Sequence, residues 1–208
     1  MPLFYFQEVT PNTKLAIWKI EEQETFFLEY VPLPIGITHP KKRLQHLAGR
    51  YLLQYLFSDF PLESIQIAST RKPYLEDEQY HFSISHSGDY AAAIVSSTDR
   101  IGIDVEFQRI TFANIAHKFL HKEEIAAVSL TDLASLTVFW CAKEAIFKWW
   151  GLGDVDFSET IRIEPFAIAE EGELSAKLIK HNAVFALKPQ YKIFDNLCLV
   201  FVSIYHNN

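Results

Sequence analysis

Residues 101–107 read "IGIDVEF", and the register of this short stretch decides how the chain is read. Strict alternation sends Ile101, Ile103, Val105 and Phe107 to one face of a strand and Gly102, Asp104 and Glu106 to the other. Residues two apart on a strand lie about 6.8 Å apart at the backbone, so the two carboxylates can reach a common ion. Two unit charges about 4 Å apart at an effective dielectric of about 20 repel by roughly 4 kcal/mol. The pair therefore calls for a positive partner, or else lines a solvated strand face.

Composition limits what surrounds this strand. The chain has 208 residues, 49% of them apolar and 14% aromatic, enough to bury a substantial core. A net charge of −7 argues against a general nucleic-acid binder, which needs a broad basic surface. Anionic ligands would have to be met by local clusters such as Lys41, Lys42 and Arg43, then Arg71 and Lys72, then Lys118 and Lys122. Cys141 and Cys198 lack paired-thiol spacing and read as core thiols of a reducing compartment. "MPLFYFQEV" lacks the features of a signal peptide, and "LCLVFVSIY" is too short for a membrane helix. The expectation is a soluble cytoplasmic protein, without nucleic-acid or membrane partners.

Outward from the strand, "KLAIWKI" and "TFFLEYV" read as strands, and Pro40 opens a helical pattern to Phe57 with Leu44, Leu47, Leu52, Tyr55 and Leu56 as its apolar stripe. "IQIAST", "HFSISHS" and "YAAAIVSS" read as short strands. Beyond residue 107, "ANIAHKFLHKEEIAAV" predicts one or two short helices. "TDLASLTVFWCAKEAIFKWWG" predicts a longer one, capped by Thr131 or Asp132 and ended by Gly151. The remainder is mostly strands. A helix followed by strands in each half predicts two α+β units, residues 1–100 and 101–208.

On the long helix, Trp140, Glu144 and Lys148 recur every four residues and share a face. Asp104, Glu106 and Glu144 would suit Mg²⁺, a hard ion that takes oxygen ligands and binds substrate phosphates. Glu144 and Lys148 also have the order of an ordinary helical ion pair. Ser85, His86 and Ser87, before Gly88, could converge on an anion through hydroxyl, imidazole and backbone N–H groups. Taken alone, His86 reads equally as a turn or hydrogen-bonded histidine, and no GxSxG elbow supports a serine nucleophile.

Four blocks in order between Arg71 and Gly151, "RKPYL", "HFSISHSGDYAAAIVSS", "IGIDVEF" and "FWCAKEAIFKWWG", resemble the 4′-phosphopantetheinyl transferases of the two-lobed Sfp type. The resemblance implies a pseudo-dimer of two similar α+β lobes, each a small antiparallel sheet packed with helices, with the active site in the cleft between them. It implies a monomer that transfers the 4′-phosphopantetheine of coenzyme A to a serine of an apo acyl or peptidyl carrier protein, releasing 3′,5′-ADP. It makes Asp104, Glu106 and Glu144 ligands of Mg²⁺, with Mn²⁺ as the alternative ion. Lys148 falls near the pyrophosphate, Ser85 and His86 on coenzyme A phosphates, Lys72 in the nucleotide pocket, and Glu124 where the family often has an acid near the site. Arg43 and Arg50 are further nucleotide-phosphate candidates, or else surface arginines whose stems cover apolar atoms.

For the reaction so implied, Glu144 is the first candidate to take the serine proton and Lys148 the second, while Lys148 and His86 stabilise charge on the pyrophosphate. Residues of "IAHKFL" could form a docking surface for the carrier, or Ile115 and Phe119 could be the buried face of a helix. Two other readings keep much of this chemistry. One is a pyrophosphate hydrolase that uses water as acceptor, and the other is a non-catalytic coenzyme A or carrier-binding module, which predicts damaged acids where this chain keeps all three.

Overall fold

A computed structural model describes residues 2–32, 36–180 and 182–205. The protein is α+β, with small antiparallel sheets packed on helices, and it divides into two compact units that meet in sequence between Ile101 and Gly102.

In the first unit, β1 (Leu3–Thr10) and β2 (Thr13–Lys19) form a hairpin, followed by α1 (Glu24–Leu28) and α2 (Pro40–Leu56). A two-stranded ribbon joins β3 (Gln66–Ile67) to β4 (Pro73–Tyr74), and β5 (His81–Ser87) and β6 (Tyr90–Ser96) complete a four-stranded sheet of order β1-β2-β6-β5. Pro40 starts α2 where its missing N–H costs nothing, and Leu47, Ala48, Leu52, Leu53 and Leu56 bury the apolar stripe with Phe82, Ala91, Ala93 and Val95. Gly49 makes the helix–sheet contact close, since a Cβ there would lie 2.6 Å from Cγ2 of Ile84.

The "TFFLEYV" segment, expected as a strand, does not form one. Glu24–Leu28 is a helical turn, because Phe26 and Phe27 pack edge-on against Tyr51 of α2, with centroids 5.5 and 5.7 Å away. Packing on a neighbouring helix outweighs the β preference of the aromatic residues. Conversely β1, to which no strand was assigned from sequence, forms an edge strand with alternating exposure, and "IQIAST" keeps only two residues of strand. The "PLPIGITHP" segment is described only in part, Leu33, Pro34 and Ile35 lying outside the described residues.

The second unit starts on β7 (Asp99–Phe107) and continues through α3 (Ile110–Phe119), α4 (Lys122–Ala127), α5 (Leu133–Trp150), β8 (Ile161–Ile163), β9 (Glu171–Glu173), β10 (Ala176–Lys180), β11 (Ala183–Leu187), β12 (Gln190–Phe194) and β13 (Leu197–Tyr205). Its sheets have the orders β7-β13-β12-β9 and β11-β10-β8. The long helix is delimited as its caps predict: Asp132 accepts from the Ser135 N–H at 3.1 Å and Gly151 takes the left-handed conformation, φ 70°. Phe119 is buried and Ile115 packs against the core, so this face of α3 belongs to the interior and not to a docking surface.

Two constraints hold α5 in place. Gly102 on β7 faces it so closely that a Cβ would lie 2.7 Å from the Trp149 nitrogen and closer still to the Ala145 carbonyl oxygen. Lys143, completely buried, donates to Glu124 Oε2 at 2.6 Å and to the carbonyls of Phe157 and Ile161 at 2.9 and 2.8 Å. Glu124 also accepts from the N–H groups of His121 and Ile163, closing a capping box on α4 and tying it to β8. The charge pair is therefore fully surrounded by hydrogen bonds, the condition under which a buried ion pair is tolerated.

Gly102→Ala is expected to lower unfolding free energy by at least about 3 kcal/mol in urea titration, because the colliding atoms are backbone and cannot swing aside. Lys143→Met should cost about 3–5 kcal/mol by leaving Glu124 charged and buried, and Lys143→Met with Glu124→Leu together should recover part of that loss. A double variant no more stable than Lys143→Met would refute this account of the pair.

Candidate active site on the acidic strand and its helix

The acid-bearing face of β7 is not solvated. With no side chain at Gly102, α5 lies directly on it, and Asp104 is buried to 4% exposure. The same contact brings Lys148, one turn beyond Glu144, onto the strand. Its ammonium donates to Asp104 Oδ1 at 2.7 Å and to the Ile103 carbonyl at 3.0 Å. Lys148 is thus the positive partner that the strand required, and it pairs with Asp104 across 44 residues of sequence. Glu106, at the more open end of the strand, faces Arg109 at 3.4 Å.

Glu144 is placed differently. Among the described residues its carboxylate makes no hydrogen bond or ion pair, although the side chain is only partly exposed. Burial first, and then the negative charge of Asp104, push it up to about 7; Lys148 opposes the shift and Glu106 adds slightly to it. Trp140, on the same stripe, packs instead on Phe112 and Phe119 with centroids 5.4 and 5.2 Å away.

The donor set of Asp104, Glu106 and Glu144 consists of hard carboxylate oxygens, and both the burial that chiefly raises the Glu144 pKa and the added charge of Asp104 are costs that a divalent cation would offset. In that sense the residues fit Mg²⁺. Among the described residues no three His, Cys, Asp or Glu side chains are already gathered around one point as metal ligands, and Lys148 supplies the positive charge beside Asp104.

In the first unit, the cations predicted from sequence have separate surroundings. Arg43 is tied to Glu24 by two contacts, Nε–Oε2 at 2.8 Å and Nη2–Oε2 at 2.7 Å, and Lys41 to Asp89 at 2.9 Å. Arg50, by contrast, makes no ion pair among the described residues. Its Nη1 lies 3.1 Å from Nδ1 of His46, and burial lowers its pKa. Ser85 and His86 point to opposite faces of β5, Ser85 buried and His86 exposed, on the same face as Phe82 and Ile84 that packs on α2. Gln45 of α2 donates to the Gly88 carbonyl at 2.8 Å and fixes the turn that follows them. Lys72 is pushed down to about 8 by burial and by the charge of Arg100.

Two residues here, His46 and Arg100, were not singled out from sequence. His46 stands one helical turn before Arg50, a spacing that was readable. Arg100 precedes Gly102 by two on β7, a parity that also places it on the acid-bearing face. Cys141 and Cys198 are both buried, on α5 and β13, and the Cys141 thiol is raised by burial first and by Cys198 second. No described helix is long and apolar enough to cross a membrane.

Comparison with known proteins points to one group. The family model of the 4′-phosphopantetheinyl transferase superfamily matches residues 100–197. The 4′-phosphopantetheinyl transferase AcpT of Escherichia coli K12 is 33% identical over 135 residues, which cover 60% of this chain and 68% of that protein. A Haemophilus influenzae protein also named for this transfer is 36% identical over 129 residues, covering 58% and 54%. Enterobactin synthase component D of Escherichia coli K12 is 33% identical over 114 residues, covering 52% and 54%. The chain thus spans about half the length of the last two relatives.

In the absence of divalent ions, Glu144 should make stability depend on pH. Its folded pKa of about 7 lies above the ordinary 4.5, so the folded state holds the extra proton between these values and stability falls as pH rises through that window. Glu144→Gln should remove this component, read as melting temperature against pH for both proteins. Identical profiles would refute the assignment.

Proposed function

The chain belongs to the 4′-phosphopantetheinyl transferase superfamily, and on that premise we propose that it moves the phosphopantetheine arm of coenzyme A to a serine hydroxyl of an apo carrier protein. The serine oxygen forms the new bond to the phosphorus that bears the pantetheine. The bond from that phosphorus to the bridging oxygen breaks, and 3′,5′-ADP leaves with the electron pair. The nucleophile comes from the partner protein, so no serine of this chain is required for the attack.

The observation that carries this reading is Glu144: a half-buried carboxylate without a hydrogen-bonding partner among the described residues, held near neutral pKa beside two further acids and a lysine. With a cation bound in place of the extra proton, this carboxylate can take the serine proton directly or through one water. Asp104, Glu106 and Glu144 would hold Mg²⁺, which when bound supplies Lewis-acid polarisation of the pyrophosphate. Lys148, anchored by the Ile103 carbonyl and Asp104, presents a fixed ammonium to the developing negative charge. His86, Arg50 and Lys72 of the first unit provide cations or donors for the nucleotide phosphates, which resolves locally what a net charge of −7 would oppose.

The test is the intact mass of apo carrier proteins incubated with this protein, coenzyme A and Mg²⁺. The expected result is a gain of one phosphopantetheine group, absent with EDTA and absent when the carrier serine is replaced. Asp104→Ala and Glu144→Ala should each lower the rate by at least about 100-fold while leaving far-UV circular dichroism unchanged. Release of 3′,5′-ADP without any carrier gain would identify a hydrolase. No gain and no release across fatty-acid, polyketide and peptide carriers would overturn the proposal.

A further inference from the structure

Arg50 is an arginine in an unusual position: half-buried, without a carboxylate partner among the described residues, in a protein with an excess of acids. Exposed arginines hold themselves in water, and buried ones are held by an acid. Arg50 is held by a histidine. His46 and Arg50 are four apart on α2 and therefore share one edge, and Nη1 of Arg50 lies 3.1 Å from Nδ1 of His46. A guanidinium carries only donors, so the imidazole must accept, and it must be neutral to do so.

The fold enforces that state. Gly49, between the two residues, lets α2 approach β5 until its α-carbon faces Ile84, and His86 follows Ile84 on the same face of the strand. His46 is consequently bounded by the cation of Arg50 on its own helix and by His86 on the sheet. Burial, Arg50 and His86 together push it down to about 4. At any pH at which an enzyme of this kind works, Nδ1 is available as an acceptor and adds no competing positive charge.

We propose that His46 is a positioning residue: through Nδ1 it holds the Arg50 guanidinium on the His86 side of α2, where both groups meet a phosphate of coenzyme A. The inference rests on the proposed function for the identity of the ligand. It gives His46 a part distinct from phosphate binding itself. An arginine fixed before the ligand arrives loses less side-chain freedom on binding, so the benefit falls on substrate affinity and not on the chemical step.

The experiment measures coenzyme A binding by calorimetry, and transfer kinetics in parallel, for His46→Asn, His46→Leu, Arg50→Ala and the His46→Leu/Arg50→Ala double variant. Asn places an amide oxygen at the same distance along the side chain as Nδ1; Leu is the better helix former but accepts nothing. Positioning predicts that Leu weakens coenzyme A binding about tenfold with kcat within about twofold, that Asn restores most of the affinity, and that adding His46→Leu to Arg50→Ala costs nothing further. A merely structural role predicts the reverse order, Leu tolerated and Asn damaging, with affinity following thermal stability. That order, or additive losses in the double variant, would overturn the inference while leaving the transferase reading intact. Transfer absent in the wild type with the affinity pattern preserved would sink the function alone, and absence of coenzyme A binding in the wild type would overturn both.

Discussion

The close approach of α5 to β7 at Gly102 is the contact on which the candidate site depends. A side chain at this position would collide with the helix backbone, so its absence fixes the distance between an acid-bearing strand face and a helix carrying Glu144 and Lys148. Burial of Asp104 follows from that distance, and a buried carboxylate needs a counter-charge, which Lys148 provides at 2.7 Å. Burial and the neighbouring acid then raise Glu144 to about 7. One missing methyl group thus propagates into packing, ion pairing and proton affinity, in that order.

The first unit uses the same device for a different charge. Gly49 brings α2 onto β5 against Ile84, and the residues flanking it on the helix edge become neighbours of His86. In the second unit the close contact concentrates acids and requires a cation; in the first it gathers the Arg50 guanidinium and the His46 and His86 imidazoles. A half-buried guanidinium without a carboxylate partner among the described residues is costly in isolation, and an anionic ligand would offset that cost.

Much of this was legible in the sequence, where periodicity and caps carry local information. The long helix with its Asp132 and Gly151 termini, the strands around His86 and Asp104, and the short helices of "ANIAHKFLHKEEIAAV" are set by neighbouring residues and were readable. The α1 turn was not, because Phe26 and Phe27 choose their conformation by packing on Tyr51, which is distant in sequence. Edge strand β1 was missed because aromatics fall on both of its faces and blur the alternation. Gly102 was readable as a residue of the acid face, but not as the reason that this face is buried, since that depends on Ala145 and Trp149, more than 40 residues away in the chain.

The harder distinction lies between residues of the same type on one helix. Lys143 and Lys148 stand on α5, and each meets a carboxylate at about the same separation, 2.6 and 2.7 Å. Sequence spacing gives Lys148 an acid one turn away, Glu144, and gives Lys143 none, yet both end up paired with acids distant in sequence. Their surroundings differ: Lys143 is fully buried, its three acceptors are supplied by the second unit, and its partner Glu124 is satisfied by backbone N–H groups of α4 and β8. The three donors of the Lys143 ammonium are all used within the fold. Lys148 keeps part of its side chain in solvent, and one turn away Glu144 retains its full capacity to accept a proton or coordinate a cation. Completeness of hydrogen bonding therefore separates the two charged pairs, the first serving as structural cement and the second as the place where a ligand can still gain by binding.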